Sequence, residues 1–242
     1  MSELPFGIDV SRYQAKVDWD KTALYRPQVV FAGIRATISW GYTDTWYARN
    51  WEEAVRVGIL PMAYHVVYPG ESAERQMEHF LKVVGNLTPD PSPGRRGEGA
   101  KVEAMPLVLD VELDHGLAAA KISQAVERCA VLITQATGRK PIIYSRAQWV
   151  DLYITGVGNP PAWLNQYDWW LAHYNADGSE HAGPPPLPKG VERKRCVIHQ
   201  TSQKGPGKAM GMESAGVDLN RWQGTLESLY RYAGAAAPVP GE

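Results

Sequence analysis

Short apolar runs rich in β-branched and aromatic residues alternate along the chain with longer segments of helical periodicity. This alternation is typical of β/α units, in which strands are followed by helices that pack on them. Eight strands are predicted, at Phe6–Ser11, Val29–Thr37, Leu60–Tyr68, Met105–Leu113, Pro141–Ser145, Trp169–Tyr174, Cys196–Ser202 and Gly216–Trp222. Five helices are predicted, at Trp46–Val57, Ser72–Val84, Ile122–Thr137, Ala147–Ile154 and Thr225–Tyr232.

The number and order of these elements predict a single α/β domain, an irregular TIM-like barrel of eight strands with about five helices. The last three predicted strands are separated by segments without helical periodicity, so we expect loops there. The segment Asn86–Ala104 is dense in Pro, Gly and charge and is predicted to be a mobile loop insertion. We expect the barrel to occupy residues 1–234 and residues 235–242 to form a disordered tail.

Composition narrows the range of partners. The 242 residues carry 25 Lys and Arg against 26 Asp and Glu, a net charge of −1, which argues against nucleic acid as a partner. No apolar run approaches the roughly 18 residues that a membrane span needs. We expect the protein to be a monomer. The first residues, Met1–Gly7, show no signal-peptide pattern, and localisation is left open.

The aromatic residues of the chain are mostly Trp and Tyr. Nine Trp and 12 Tyr stand against three Phe, so nearly every ring carries a polar group. Such rings suit a surface that is partly apolar and partly wet, as in a sugar-binding cleft, although core packing explains many of them equally well.

Two acids end the fourth predicted strand, in the sequence Pro106-Leu-Val-Leu-Asp-Val-Glu-Leu113. The carboxyl ends of barrel strands form the catalytic face, and the period of two directs Asp110 and Glu112 to the same side. Two carboxylates this close raise one pKa, which keeps a proton available for a leaving oxygen. The alternative is that Asp110 and Glu112 are a solvent-exposed pair at a strand end with no catalytic role.

Two more acids occupy comparable positions. Asp9 lies near the end of the first predicted strand and Asp218 lies in the last. The first and last strands of a closed barrel are neighbours, so we expect these two side chains to converge. Four acids among Trp and Tyr residues favour a glycosidase site over a network of ion pairs.

Other catalytic and binding patterns are missing from the sequence. It contains no HxH or HExxH pair, no G-x-S-x-G, no phosphate-binding loop and no GxGxxG. We therefore expect no metal site and no cofactor.

The chain resembles glycoside hydrolase family 25, the Chalaropsis-type lysozymes or N-acetylmuramidases. The resemblance rests on motifs in the expected order along nearly the whole chain: Gly7-Ile-Asp-Val-Ser11 with Gln14, Phe31-Ala-Gly-Ile-Arg-Ala-Thr37, Asn50-Trp51, Ala63-Tyr-His65, Leu109-Asp-Val-Glu112, Pro141-Ile-Ile-Tyr-Ser145, Trp170-Leu-Ala-His-Tyr174, His199-Gln200 and Val217-Asp-Leu-Asn220. It implies a flattened barrel and bacterial peptidoglycan as the partner. One departure is Arg35, which stands where Lys is common.

The resemblance also implies roles for the matching residues. Glu112 is the expected general acid, and Asp9, Asp110 and Asp218 are the expected remaining catalytic acids. The residues expected to line the sugar site are Tyr64, Tyr144, Trp170, Tyr174 and Gln200. The expected reaction is cleavage of the β-1,4 bond between N-acetylmuramic acid and N-acetylglucosamine.

The sequence allows alternatives for both the mechanism and the function. Asp110 could polarise the acetamido group of the substrate, or Asp218 could act from the opposite side of the sugar. A barrel that binds cell-wall glycan without cleaving it is the non-enzymatic alternative. A chitinase of the D-x-x-D-x-D-x-E type is disfavoured because Met105 and Val108 stand where that pattern needs acids.

Overall fold

The computed structural model of the chain describes residues 3–85 and 104–236. The predicted loop insertion and the predicted tail therefore lie, apart from Ala104, Ala235 and Ala236, outside the described residues.

Eight strands close into a barrel, which confirms the predicted architecture. Going round the barrel, the order is β1, β2, β4, β5, β6, β7, β8 and β9, and β9 pairs with β1 again. The strands are β1 Phe6–Val10, β2 Val29–Ile38, β3 Tyr42–Thr43, β4 Leu60–Val66, β5 Val108–Asp110, β6 Ile142–Ser145, β7 Asp168–Ala172, β8 Cys196–Pro206 and β9 Gly216–Trp222. The short β3, which the sequence pattern does not predict, forms a hairpin with the end of β2.

The direction of the strands defines one functional end. Among the eight barrel strands, the neighbouring pairs from β1 through β2 and β4 to β8 are all parallel, whereas β9 is antiparallel to both β8 and β1. The carboxyl ends of seven strands and the beginning of β9 therefore meet at the same end of the barrel. Residues at this end reach it from eight separate strands, which is how distant parts of the sequence come together.

The described residues contain six α-helices: α1 Trp19–Leu24, α2 Tyr47–Arg56, α3 Ala73–Gly85, α4 Ala119–Thr137, α5 Ala147–Val150 and α6 Leu226–Ala233. The predicted helix Ala147–Ile154 is α-helical only over α5, because its second half widens into a π turn at Asp151–Thr155. Helix α1 was not predicted; six residues are too few to show helical periodicity. No α-helix lies between β7 and β8 or between β8 and β9, as expected.

The alternation of side chains along the strands creates two apolar layers. In β1, Ile8 and Val10 belong to the outer layer that packs against the helices, whereas Asp9 faces the barrel interior. The interior layer contains Phe31, Met62, Val108, Ile142 and Ile198, and Leu229 of α6 joins it from the amino-terminal end of the parallel strands. One end of the interior is thus closed by apolar packing, and polar side chains collect at the other.

Among the described residues, every helix is too short or too polar to cross a bilayer.

Candidate active site

A cleft of about 200 Å³ opens at the carboxyl end of the parallel strands, and all four predicted acids line it. Asp9 comes from β1, Asp110 from the end of β5, Glu112 from the residues just after β5, and Asp218 from β9. The barrel therefore brings into one site acids that lie more than 200 positions apart in the sequence, such as Asp9 and Asp218.

Asp9 and Asp218 are direct partners in the antiparallel pairing of β1 with β9. Asp9 Oδ2 accepts a hydrogen bond from Gln200 Nε2 at 3.0 Å and another from Asn220 Nδ2 at 2.9 Å. Two amide donors on one buried oxygen stabilise the negative charge of Asp9. Asp9 is therefore the member of the pair that holds the charge.

Asp218 takes the opposite protonation state. Burial, together with the charge of Asp9, raises the pKa of Asp218 to about 9. Burial also raises the pKa of Asp9, but its hydrogen bonds with Asn220 and Gln200 oppose that rise. The pair therefore shares one proton near neutral pH, held on Asp218 and directed to Asp9.

Asp110 is the acid with the fewest compensating contacts. Its Oδ1 atom is buried and has no hydrogen-bond partner among the described residues. Burial, followed by the charges of Glu112 and Asp9, raises the pKa of Asp110 well above its usual range. A buried carboxyl group with an unused oxygen is suited to a hydrogen bond with a ligand that enters the cleft.

Glu112 is partly open to solvent, with 34% of its side chain exposed. Burial raises its pKa above the usual value, and the guanidinium of Arg146 opposes this rise. Arg146 Nε lies 3.5 Å from Glu112 Oε1, and Arg146 Nη2 donates to the hydroxyl of Tyr174 at 2.8 Å. Tyr174, a predicted sugar-site residue, is thus half-buried beside the cleft and contacts Glu112 through Arg146.

The other predicted sugar-site residues, Tyr64, Tyr144, Trp170 and Gln200, line the cleft directly. Tyr144 donates its hydroxyl hydrogen to Gln200 Oε1 at 2.8 Å. The rings of Tyr144 and Trp170 meet edge to face, with centroids 4.8 Å apart. The hydrogen bond and the ring contact fix the orientation of the two aromatic side chains in the lining of the cleft.

Gly33 is required where β2 passes between Asp9 and Trp170. A Cβ atom at this position would lie 2.8 Å from the Trp170 ring and 2.9 Å from Asp9 Cβ. Contacts this short do not occur in real proteins, so the absence of a side chain lets the aromatic wall approach the acid.

Several residues that shape the cleft carry no role in the sequence-based prediction. They are Tyr13, which lines the cleft, Asn220, which bridges Trp170 to Asp9, Arg146, which contacts Glu112, and Asp44, which binds Arg35. Asn220 and Arg35 lie within motifs that carry the family resemblance, so that resemblance is the signal that marks them. Nothing in the sequence pattern marks Arg146, Tyr13 or Asp44.

In residues 3–85 and 104–236, His, Cys, Asp and Glu side chains nowhere gather in threes with a geometry that could hold a metal ion. The cleft instead offers a proton donor with a raised pKa, an unused buried carboxyl oxygen, an ionised Asp9 and aromatic walls. Hydrolysis of a glycosidic bond needs a proton for the leaving oxygen and negative charge near an oxocarbenium-like centre, and this set of groups supplies both.

Comparison with known proteins agrees with this chemistry. The sequence profile of "Glycosyl hydrolases family 25" matches residues 8–208. The protein YegX of Escherichia coli strain K12 is 31% identical over 237 residues, covering 97% of this chain and 75% of YegX. "Lysozyme M1" of Streptomyces globisporus is 26% identical over 238 residues, covering 96% of this chain and 72% of the relative.

Solved structures share the fold. A bacterial lysozyme from Streptomyces coelicolor superimposes with a TM-score of 0.75 at 24% identity, covering 96% of this chain and 98% of the other. A family 25 glycosyl hydrolase from Bacillus anthracis gives a TM-score of 0.71 at 22% identity, covering 95% and 93%. The profile match, which spans most of the chain, identifies it as a member of glycosyl hydrolase family 25, and thus as a glycoside hydrolase.

Proposed function

We propose that the protein is a muramidase that cleaves the β-1,4 bond between N-acetylmuramic acid and N-acetylglucosamine in bacterial peptidoglycan. The observation that carries the proposal is that Glu112, Asp9, Asp110 and Asp218 line one cleft together with aromatic side chains. The lysozymes among the similar proteins support the same substrate class.

Glu112 is the proton donor in this proposal. Its raised pKa keeps the carboxyl group protonated to higher pH than in an exposed glutamate, so it can protonate the leaving oxygen as the glycosidic bond breaks. The overall reaction consumes one water molecule, whose hydroxyl group takes the place of the leaving oxygen at the anomeric carbon. Arg146 stabilises the carboxylate that remains after the proton has left, since its guanidinium lies 3.5 Å away.

The three aspartates support the reacting sugar. Asp9 keeps its negative charge through Gln200 and Asn220, and this charge stabilises positive charge that develops at the anomeric carbon. Asp110 Oδ1 is free to accept a hydrogen bond from the acetamido N–H of the substrate. Asp218 holds the proton that joins it to Asp9, which fixes the position of both side chains.

Analysis of the reducing ends tests the bond specificity. Purified peptidoglycan is digested, the new ends are reduced with borohydride and the fragments are identified by mass spectrometry. A muramidase produces fragments that end in muramitol. Fragments that end in reduced glucosamine, or fragments with cleaved amide bonds, would contradict the proposed specificity and leave the family membership intact.

A barrel that binds the wall without cleaving it is the competing function, and a turbidity assay separates the two. Loss of turbidity of purified cell walls, together with release of reducing sugars, is expected for a muramidase. A protein that sediments with walls and releases no reducing sugar would be a binding module. The four acids favour cleavage, because sugar binding alone needs aromatic platforms and hydrogen-bond donors but no proton donor.

A further inference from the structure

Two arginines and two tyrosines form a compact cluster at one edge of the cleft, here called the arginine–tyrosine rim: Arg12, Tyr13, Arg35 and Tyr42. The guanidinium carbon of Arg12 lies 5.1 Å from the Tyr13 ring centroid and 5.6 Å from that of Tyr42. Arg35 lies 5.2 Å and 6.0 Å from the same two rings. Both cations thus lie within cation–π distance of the same two rings.

The rim carries more positive than negative charge. Asp44 contacts it, and Asp44 Oδ2 binds Arg35 Nε at 2.8 Å and the backbone N–H of Arg12 at 3.0 Å. Asp44 Oδ1 accepts from the backbone N–H of Trp46 at 3.0 Å. Within the described part of the chain, the side chain of Arg12 has no carboxylate partner, and its Nη2 contacts the Tyr13 hydroxyl at 3.5 Å.

The rim also has hydrogen-bonding capacity that the described residues do not use. Arg35 Nη2 and the Tyr42 hydroxyl are buried and lack hydrogen-bond partners there. The pKa of Tyr13 is lowered by its hydrogen bond with Arg12 and by the charges of Arg12 and Arg35. An anion is therefore stabilised at this edge, where Tyr13 is 66% exposed.

The rest of the cleft disfavours an anion. The ionised Asp9 lines it together with three further acids, and the third nearby guanidinium, that of Arg146, is already engaged by Glu112 and Tyr174. An anionic group on a bound substrate must therefore lie away from these acids. Tyr13 and Arg35 line the same cleft as the acids, so the rim borders the place where the substrate enters.

We infer that the arginine–tyrosine rim binds a carboxylate of the substrate, with Arg12 making the contact and Arg35 supplying a second positive charge behind it. This inference rests on the proposed function. Peptidoglycan carries carboxylates on its stem peptides, and a lactyl carboxylate is exposed where the peptide has been removed. Both sources present the same chemistry to a guanidinium.

Binding to sedimented cell walls tests the inference without relying on turnover. All proteins carry Glu112→Gln, which limits digestion, and are compared with Arg12→Gln, Arg12→Lys and Arg231→Gln added. Arg231 is the matched control, because it is an exposed arginine on α6, at the other end of the barrel. Each protein is tested at low salt on untreated walls and on walls whose carboxyl groups have been converted to amides.

Arg12→Gln is expected to weaken binding to untreated walls by roughly two- to fivefold, the range for an exposed charge pair. Arg12→Lys should retain most of the affinity and Arg231→Gln all of it. On amidated walls Arg12→Gln should bind as well as the parent. Equal binding of Arg12→Gln and its parent to untreated walls, or a difference that survives amidation, would overturn the inference.

Glycan strands stripped by an amidase identify the source. A difference between Arg12→Gln and its parent that persists on these strands assigns the lactyl carboxylate, and a difference that disappears assigns the stem peptide. Failure of the proposed function is recognised separately: the protein without Glu112→Gln would then release no reducing ends from any wall preparation.

Discussion

Asp9 and Asp218 face each other across the pairing of the first and last strands, and they share one proton. Two amide donors hold the charge on Asp9, so the proton stays on Asp218. The closure of the barrel and the electrostatics of the cleft therefore depend on the same pair of residues.

The stability of the protein should respond to pH through this pair. The pKa of Asp218 rises from 3.8 to about 9 on folding, so the folded protein holds an extra proton between these values. Stability is consequently lost as the pH rises through this range. Asn at position 218 keeps a donor towards Asp9 and does not titrate.

We expect Asp218→Asn to gain stability relative to the wild type as the pH increases from about 5 to about 8. Thermal unfolding of both proteins at the two pH values measures this. A difference in Tm that is the same at both pH values would contradict the assigned protonation of the pair.

Arg146→Gln should move the alkaline limb of the activity profile to higher pH. The guanidinium lowers the pKa of Glu112, against the larger effect of burial. Without the cation, Glu112 keeps its proton to higher pH, and a general acid works only while protonated. The measurement is kcat against pH, with Arg231→Gln as the control. An unmoved limb, or one moved to lower pH, would remove Glu112 as the group that sets it.

Asn220→Ala should destabilise the protein. Asn220 is fully buried, accepts from Trp170 Nε1 at 2.8 Å and donates to Asp9. Alanine leaves a buried N–H and a buried carboxylate each short of a partner, at about 1–3 kcal/mol per group. Urea denaturation should show a loss in this range or above. Gln148→Ala, on the exposed side of α5, should change the free energy of unfolding little. Equal effects of the two substitutions would argue against the hydrogen bonds that join Asn220 to Trp170 and Asp9.

Gly33→Ala should displace Trp170 and reduce both stability and wall hydrolysis. The added methyl group would meet the Trp170 ring at 2.8 Å and Asp9 at 2.9 Å, and such overpacking costs about 1–3 kcal/mol. Gly41→Ala is the matched control, because no atom lies within 4 Å of a Cβ built there. Tm and the rate of turbidity loss provide the comparison. A Gly33→Ala protein as active and as stable as the wild type would contradict the requirement for glycine between Trp170 and Asp9.

The barrel could be predicted from the sequence because its eight main strands are apolar runs of the right length between clear breaks. The convergence of the four acids could also be predicted, since strand ends of a parallel barrel meet at one face and the first strand neighbours the last. The fourth predicted strand, Met105–Leu113, is too long, because β5 covers only Val108–Asp110. Glu112 consequently follows the strand instead of ending it.

The contacts between side chains from different elements could not be predicted in the same way. Arg146 reaches Glu112 because the residues after β5 and β6 approach each other, and this depends on loop geometry that no local pattern encodes. The bond between Trp170 and Asn220 crosses from β7 to β9 and depends on the register of the whole barrel. Helix α1 and strand β3 are too short to produce a periodic signal.

The central claim is that Glu112 donates the proton in cleavage of the glycan. Glu112→Gln keeps the size and shape of the side chain but removes the titratable proton, so the fold should persist. Glu52→Gln, an exposed glutamate on α2, serves as the control.

The decisive measurement is the rate at which each folded protein releases new reducing ends from purified peptidoglycan. Glu112→Gln should lower kcat by roughly 10²–10⁴, the usual contribution of general acid catalysis, with Tm near that of the wild type. Glu52→Gln should match the wild type in both. Reducing ends released by folded Glu112→Gln at nearly the wild-type rate would contradict the account.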